Sequence, residues 1–260
     1  MTDTDMSPDA VDVAARAWMA ALAMFGTAHP DGFHRAGTNG TSELVTGAPM
    51  PLLNGVISTA RDADADEMAA FAASPKLKSV AWSVQVRGEQ VEDRIVAMAG
   101  DHGLRQRMLL PFMLKELDAG DLGKPEADGV KVRRVLGDEG EVYRTVMAAG
   151  YEGPEEIFSI FTAPSVMDHV SMRAYLAEVE GVPVATSFGV LVDDLVGVFN
   201  IAVPPQHRRH GYGRAATAAV LRDAYEQGAR TAFLHASPLG VPLYEAMGFR
   251  LTENWTLFTS

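Results

Sequence analysis

The chain has no cysteine. That excludes a disulfide framework and a thiolate metal site. No apolar run approaches the roughly 18 to 20 residues needed to cross a bilayer. Positive charge is scarce: 22 Lys and Arg face 34 Asp and Glu, for a net charge of −12. A general nucleic-acid binder needs a basic face against phosphates, so that class is excluded. The acid excess is explained most simply by solubility; a sharper role is to attract a cationic substrate such as an amine. The histidines show no metal-ligand spacing, and no metal is expected. The opening MTDTDMSPDA is acidic and has no basic n-region. A cytoplasmic protein without membrane contact is the expectation.

What is present fits a soluble globular chain of one large or two small domains: 260 residues, 47% hydrophobic and 22% charged. The first seven residues are expected to lack fixed structure. Ser7-Pro8 reads as a helix start, with Ser as the cap and Pro in the first turn. The helix that follows ends near Gly26. GFHRAGTNGTSEL reads as turns or a hairpin loop. Residues 50–59 and 79–86 read as strands, with a helix between them whose first turn is acidic. A further helix ends near Gly100 or Gly103, and RQRMLLPFMLKEL resumes strand character. Residues 118–129 are rich in Gly, Asp and Pro and carry no periodicity. The predicted division is a first domain over 1–120, a linker over 121–129 and a second domain over 130–260. In the second domain a strand precedes two short helices, and three antiparallel strands run from 172 to 203. A long helix, a strand, a short helix and a last strand follow. The order of elements in the two halves matches, so the halves read as two copies of one fold.

The informative stretch is VFNIAVPPQHRRHGYGRAATAAVLRDA, residues 198–224. A glycine-rich turn between a strand and a helix exposes backbone N–H groups at the positive end of the helix dipole. Such a turn suits phosphate or pyrophosphate. Gly211 and Gly213 let the backbone approach an anion with no Cβ in the way. Arg208, Arg209 and Arg214 can add charge-assisted hydrogen bonds. A Walker A loop is absent. GYGRAA matches the dinucleotide fingerprint literally, but no acid ends the next strand and no room remains for further βαβ units. Taken alone, an arginine pair is a solvated surface and Tyr244 a core aromatic. Trp18, Trp82 and Trp255 read as core residues, and His235 as a structural histidine.

RRHGYG resembles the [Q/R]-x-x-G-x-[G/A] pyrophosphate loop of the GCN5-related N-acetyltransferases. SPLGVPLYEAMGF, later in the chain, is similar to a second signature of that family, N-x-x-A-x-x-[LF]-Y-x-x-x-G-F. Leu243, Tyr244, Gly248 and Phe249 match it; Ser237 stands where Asn is frequent and Gly240 where Ala is frequent. The resemblance covers about residues 130–260. It implies an α/β (α+β) fold of two GNAT-like domains, each a mixed, mostly antiparallel twisted sheet flanked by helices.

The resemblance also implies acetyl-CoA as co-substrate and a small-molecule or peptide amine as acceptor, attacked directly in a ternary complex. Ile201, Ala202 and Val203 would hold the pantetheine arm through their backbone, as an added strand would. Arg208, Arg209, His210, Gly211, Tyr212, Gly213 and Arg214 would hold the pyrophosphate, with Ser237 also at the cofactor. Tyr244 would be the general acid for the leaving thiolate. Some members carry a Glu as base four residues before the position of Ile201, but here that position is Gly197. Asn200 could position a water; Glu178, Asp193, Asp194 and His235 are candidate bases by chemistry alone. The matching turn of the first half, ARDADADEM, has acids and no glycine pair. That half is expected to be degenerate and not to bind acetyl-CoA. A competing class is a non-catalytic acyl-CoA-binding or regulatory protein. Monomer and homodimer both remain open.

Overall fold

Helix α1 (Pro8–Ala28) begins as its sequence predicts. The Ser7 hydroxyl accepts the Ala10 N–H, and Pro8 stands in the first turn, where a missing N–H costs nothing. The computed structural model describes residues 7–122 and 129–260, so the expectation for residues 1–6 lies outside the described residues. One face of α1 buries Ala14, Trp18, Leu22 and Phe25.

The stretch read as turns or a hairpin loop contains a paired hairpin, β1 (Phe33–Ala36) and β2 (Thr41–Val45). The strand read over 50–59 is shorter, β3 (Asn54–Ser58), because Pro51 opens a 3₁₀ turn before it. Helix α2 (Ala65–Ala72) and strand β4 (Ser83–Arg87) follow, then α3 (Asp93–Asp101) and β5 (Gln106–Glu116). Further on come β6 (Val130–Val135), α4 (Gly140–Tyr151), a 3₁₀ stretch at Glu155–Thr162 and α5 (Pro164–Met167). The three expected antiparallel strands are β7 (Met172–Val179), β8 (Val182–Val192) and β9 (Leu195–Ala202). Then come α6 (Tyr212–Glu226), β10 (Thr231–His235), α7 (Val241–Glu245) and β11 (Arg250–Thr259).

Two compact units result. The first comprises residues 1–114, 235–242 and 250–260; the second comprises 115–234 and 243–249. In the first unit the strand order is β1-β2-β3-β4-β11-β5. Strands β3 and β4 are parallel and the other neighbours antiparallel. Its helices α2 and α3 bury Met68, Ala72, Ile95 and Ala99 on Val56, Val84 and Val86. In the second unit the order is β10-β9-β8-β7-β6, again with one parallel pair, β9 and β10. Here Ala215 and Ala216 of α6 pack on Ala177, Val184 and Ala185. Small side chains on both surfaces let that helix lie close to its sheet.

The expected division placed the last strand in the second domain. The structure places it in the first, where Trp255 stands opposite both Arg87 of β4 and Leu110 of β5. Trp255, Thr256, Leu257 and Phe258 are all buried. A strand buried on both faces fits any sheet of suitable register, so chain order does not name its partner. The expected linker is only partly within view, since 123–128 lie outside the described residues. Its start is ordered: Asp118 and Asp121 close a capping box, and Asp121 pairs with Lys115 at 3.2 Å.

Candidate active site

The second unit's parallel pair is short. Strands β9 and β10 are matched at Leu195–Thr231, Val196–Ala232 and Gly197–Phe233, and the register goes no further. Strand β9 runs on to Ala202 along β8, through a bulge between Thr186 and Phe188. At that bulge Asn200 adopts φ +53°, and the Thr186 hydroxyl donates to its carbonyl at 2.7 Å. The strand side of β9 that faced β10 is therefore open from Val198 to Ala202. Ile201 and Ala202 lie in this segment, and Val203 comes directly after it.

The glycine turn comes directly after it. The Arg208 N–H donates to Pro205, and the next internal bond of the turn is Ala215 N–H to Gly211. Among the described residues, no partner is found for the N–H groups of Arg209 to Arg214. Arg209 and Gly211 are both left-handed, at φ 69° and 83°. Gly211 caps α6 without a side chain, so the 15-residue helix presents a bare positive end. Such a run of backbone donors forms an anion-binding nest. The position Gly213 Cβ would take lies 3.5 Å from Val203 and 3.9 Å from Ile201. The end of β9 thus packs on the start of the helix.

Two of the expected anion-binding arginines are already engaged. The Arg208 guanidinium donates to the carbonyls of Val203 and Gly150 and to Glu152 at 2.6 Å. Arg214 donates to the Ala246 carbonyl. Both hold the loop to its neighbours. His210 stacks on Tyr212 at 5.5 Å. Ser237 belongs to the first unit; it is exposed, and its hydroxyl accepts the Gly240 N–H.

Tyr244 is buried on α7 and meets Phe249 edge-on at 5.7 Å. Burial, with a smaller effect of Tyr151, raises its pKa well above the ordinary phenol value, so it holds its proton at neutral pH. Sequence reasoning missed two companions, Tyr143 and Tyr151. They stand two turns apart on α4. Tyr143 is fully buried, and its hydroxyl donates to the Ser187 carbonyl. Tyr151 stacks on Phe158 at 5.4 Å and is half exposed. Its hydroxyl adds to the upward shifts of both Tyr143 and Tyr244. The signal was Gly150: a Cβ there would lie 2.7 Å from Ala202 Cβ and 2.8 Å from Val203 N. Only glycine lets the end of α4 come this close to β9.

The candidate bases fare differently. At Gly197 a Cβ would fall 2.6 Å from the Phe199 ring and 2.8 Å from that of Phe233. Glutamate has no space there. Glu178 is paired with Arg133 at 2.8 Å. Asp193 and Asp194 form the turn before β9, eight and seven residues from Ile201, or roughly 23 to 26 Å along a strand. His235 lies in the first unit among Trp18, Phe112 and Trp255, at 4.5, 4.8 and 5.1 Å. Burial depresses its pKa to about 3, which makes it a weak base. Among the described residues no cluster of three or more His, Cys, Asp or Glu could hold a metal ion.

Residues 143–249 match the family model of the acetyltransferase (GNAT) family. This segment is a GNAT domain. A GCN5-related N-acetyltransferase from Kribbella flavida is similar over 96% of this chain and 95% of its own, at 20% identity and TM-score 0.67. A conserved protein of unknown function from Staphylococcus epidermidis covers 90% and 96%, at 15% identity and TM-score 0.66. A GCN5-related N-acetyltransferase from Sphaerobacter thermophilus covers 69% of this chain and 60% of its own, at 17% identity and TM-score 0.53. These likenesses establish the fold of the GNAT domain and of the half before it. Among curated proteins, no sequence matches the chain. No helix among the described residues is long and apolar enough to cross a membrane.

Proposed function

We propose that this protein transfers the acetyl group of acetyl-CoA to an amine, with the chemistry in the GNAT domain. The observation that carries this reading is the unpartnered N–H run of Arg209–Arg214 at a bare helix start, beside an open strand edge and a buried tyrosine. The residues fit the co-substrate: the nest suits a pyrophosphate, and the free side of β9 suits an extended arm. Acetyl-CoA, when bound, supplies an acyl thioester. Ile201 to Val203 hold the arm leading to it by backbone hydrogen bonds. Tyr244, protonated at neutral pH, donates its proton to the departing thiolate. With Gly197 closed to a carboxylate, the amine nucleophile enters as the neutral species or loses its proton to water. The net charge of −12 favours a cationic acceptor in solution.

The missing carboxylate at Gly197 also favours a second reading, a regulatory protein that binds acyl-CoA without turnover. Two measurements separate them. Acetyl-CoA and CoA should raise the melting temperature, and NAD should not. An amine panel should then include a member that stimulates release of CoA thiol. Stabilisation without stimulated release would favour the regulatory protein, and no stabilisation by acetyl-CoA or CoA would sink both.

A further inference from the structure

The first unit has a hollow at the end of its own parallel pair. Strand β3 stops at Ser58 and β4 at Arg87, and the loop after each leads into a helix. Residues 61–63 of one loop and 90–92 of the other line a cavity of about 130 Å³, all of it within the first unit. A crevice outside the carboxyl ends of parallel strands is where open α/β sheets bind ligands. The floor of this one is apolar. Val86 and Ile95 belong to the buried cluster of the unit, and Ala63 and Val91 pack on that cluster while staying half-buried.

Four charged side chains line the cavity: Arg61, Asp62, Arg87 and Glu92. Arg87 is fully engaged by Glu253, Asp12 and the Thr59 carbonyl. The other three are not. Arg61 donates through Nε to Asp12 at 2.9 Å, and among the described residues its two terminal nitrogens have no partner. Asp62 has no hydrogen bond or ion pair among the described residues, and Glu92 comes only within 4.0 Å of Arg94. We propose that this cavity binds a free α-amino acid with an aliphatic side chain. The carboxylate accepts from the forked Arg61 terminal N–H groups. The ammonium group donates to Asp62 and Glu92, and the hydrocarbon covers Ala63 and Val91. A simple anion would meet two like charges here and a simple amine one, so the cavity favours a molecule that carries both. Its volume, room for about four waters, limits the ligand to a small one. The site does not depend on the acetyl-CoA reading.

The test is calorimetry of the full chain with L-leucine and with its two halves. Isocaproate lacks the ammonium group, and isoamylamine lacks the carboxylate. Leucine should bind with a Kd of about 1 mM, and each half about tenfold more weakly, the share of one charge-assisted contact. Arg61→Gln and Asp62→Asn alter exposed positions, and melting curves check that each variant folds. Each should weaken leucine binding about five- to tenfold. Leucine binding that either variant leaves unchanged lies elsewhere in the chain and overturns the site. Isocaproate or isoamylamine bound as tightly as leucine overturns the two-charge recognition. A wild type that does not bind leucine up to about 10 mM overturns the proposal outright.

Discussion

Helices α2 and α6 occupy the same place in their units. Each follows the first strand of the parallel pair and leads to the second. They begin in opposite ways. At α2 the Asp64 side chain accepts the N–H groups of Asp66 and Glu67, and those bonds hold its carboxyl below the usual range. At α6 the cap is Gly211, and the backbone donors stay open. The strands differ too. The divergence of β9 from β10 leaves a free edge, whereas at the end of β3 the Thr59 carbonyl is taken by the Arg87 guanidinium. Arg87, with 3% of its side chain exposed, also reaches Asp12 and Glu253 at 2.7 Å. The first unit satisfies with its own side chains groups for which the second, among the described residues, has no partner. One fold can thus carry a site or a structural plug, and a few residues decide which.

The contrast can be broken most strongly at its open end. Gly211→Val should abolish the acetyl-CoA melting shift, because a β-branched residue resists φ +83° and its side chain fills the nest. The reciprocal change, Asp64→Gly, should create no second site in calorimetry, since Arg87 still occupies the strand end. Arg87→Met should cost the first unit about 3 kcal/mol in urea unfolding, because Asp12 and Glu253 lose their shared cation. Acetyl-CoA binding should survive it. Tyr244→Phe should lower amine-stimulated CoA release about 100-fold with the acetyl-CoA Kd unchanged.

The smallest effect is a slope. His235 has a folded pKa near 3, below its unfolded value of about 6.5. The unfolded state therefore binds the extra proton between those values, and stability is lost as the pH falls through that window. Unfolding free energies should decline by up to about 1.4 kcal/mol per pH unit from this group. His235→Phe should flatten that part of the curve and leave the acetyl-CoA shift in place.

The glycine turn, the tyrosine motif and the splayed strand were legible because each has a local signature. Gly211 announces a left-handed cap, and NIAV followed by two prolines announces a strand that stops. The antiparallel run 172–203 was legible from its alternation and its two turns. Tyr143 and Tyr151 were not, since an aromatic on an amphipathic helix looks the same whether it faces a core or a site. The left-handed backbone of Asn200 was not legible either, since a bulge has no sequence mark of its own. The placing of β11 with the second domain has a similar origin: hydrophobic pattern tells how a strand is buried, not beside which strand.

By itself, then, the sequence determined the elements, the glycine turn before α6 and the net negative charge. Those properties depend on neighbours along the chain, on periodicity and on counted charge. Only the tertiary structure decided that the last strand joins the first unit, that Gly197 cannot give way to a carboxylate, and that Arg87 closes the end of β3. Each of these depends on which atoms meet across long chain separations, where packing and unsatisfied hydrogen bonds set the energy and local patterning carries no record of it.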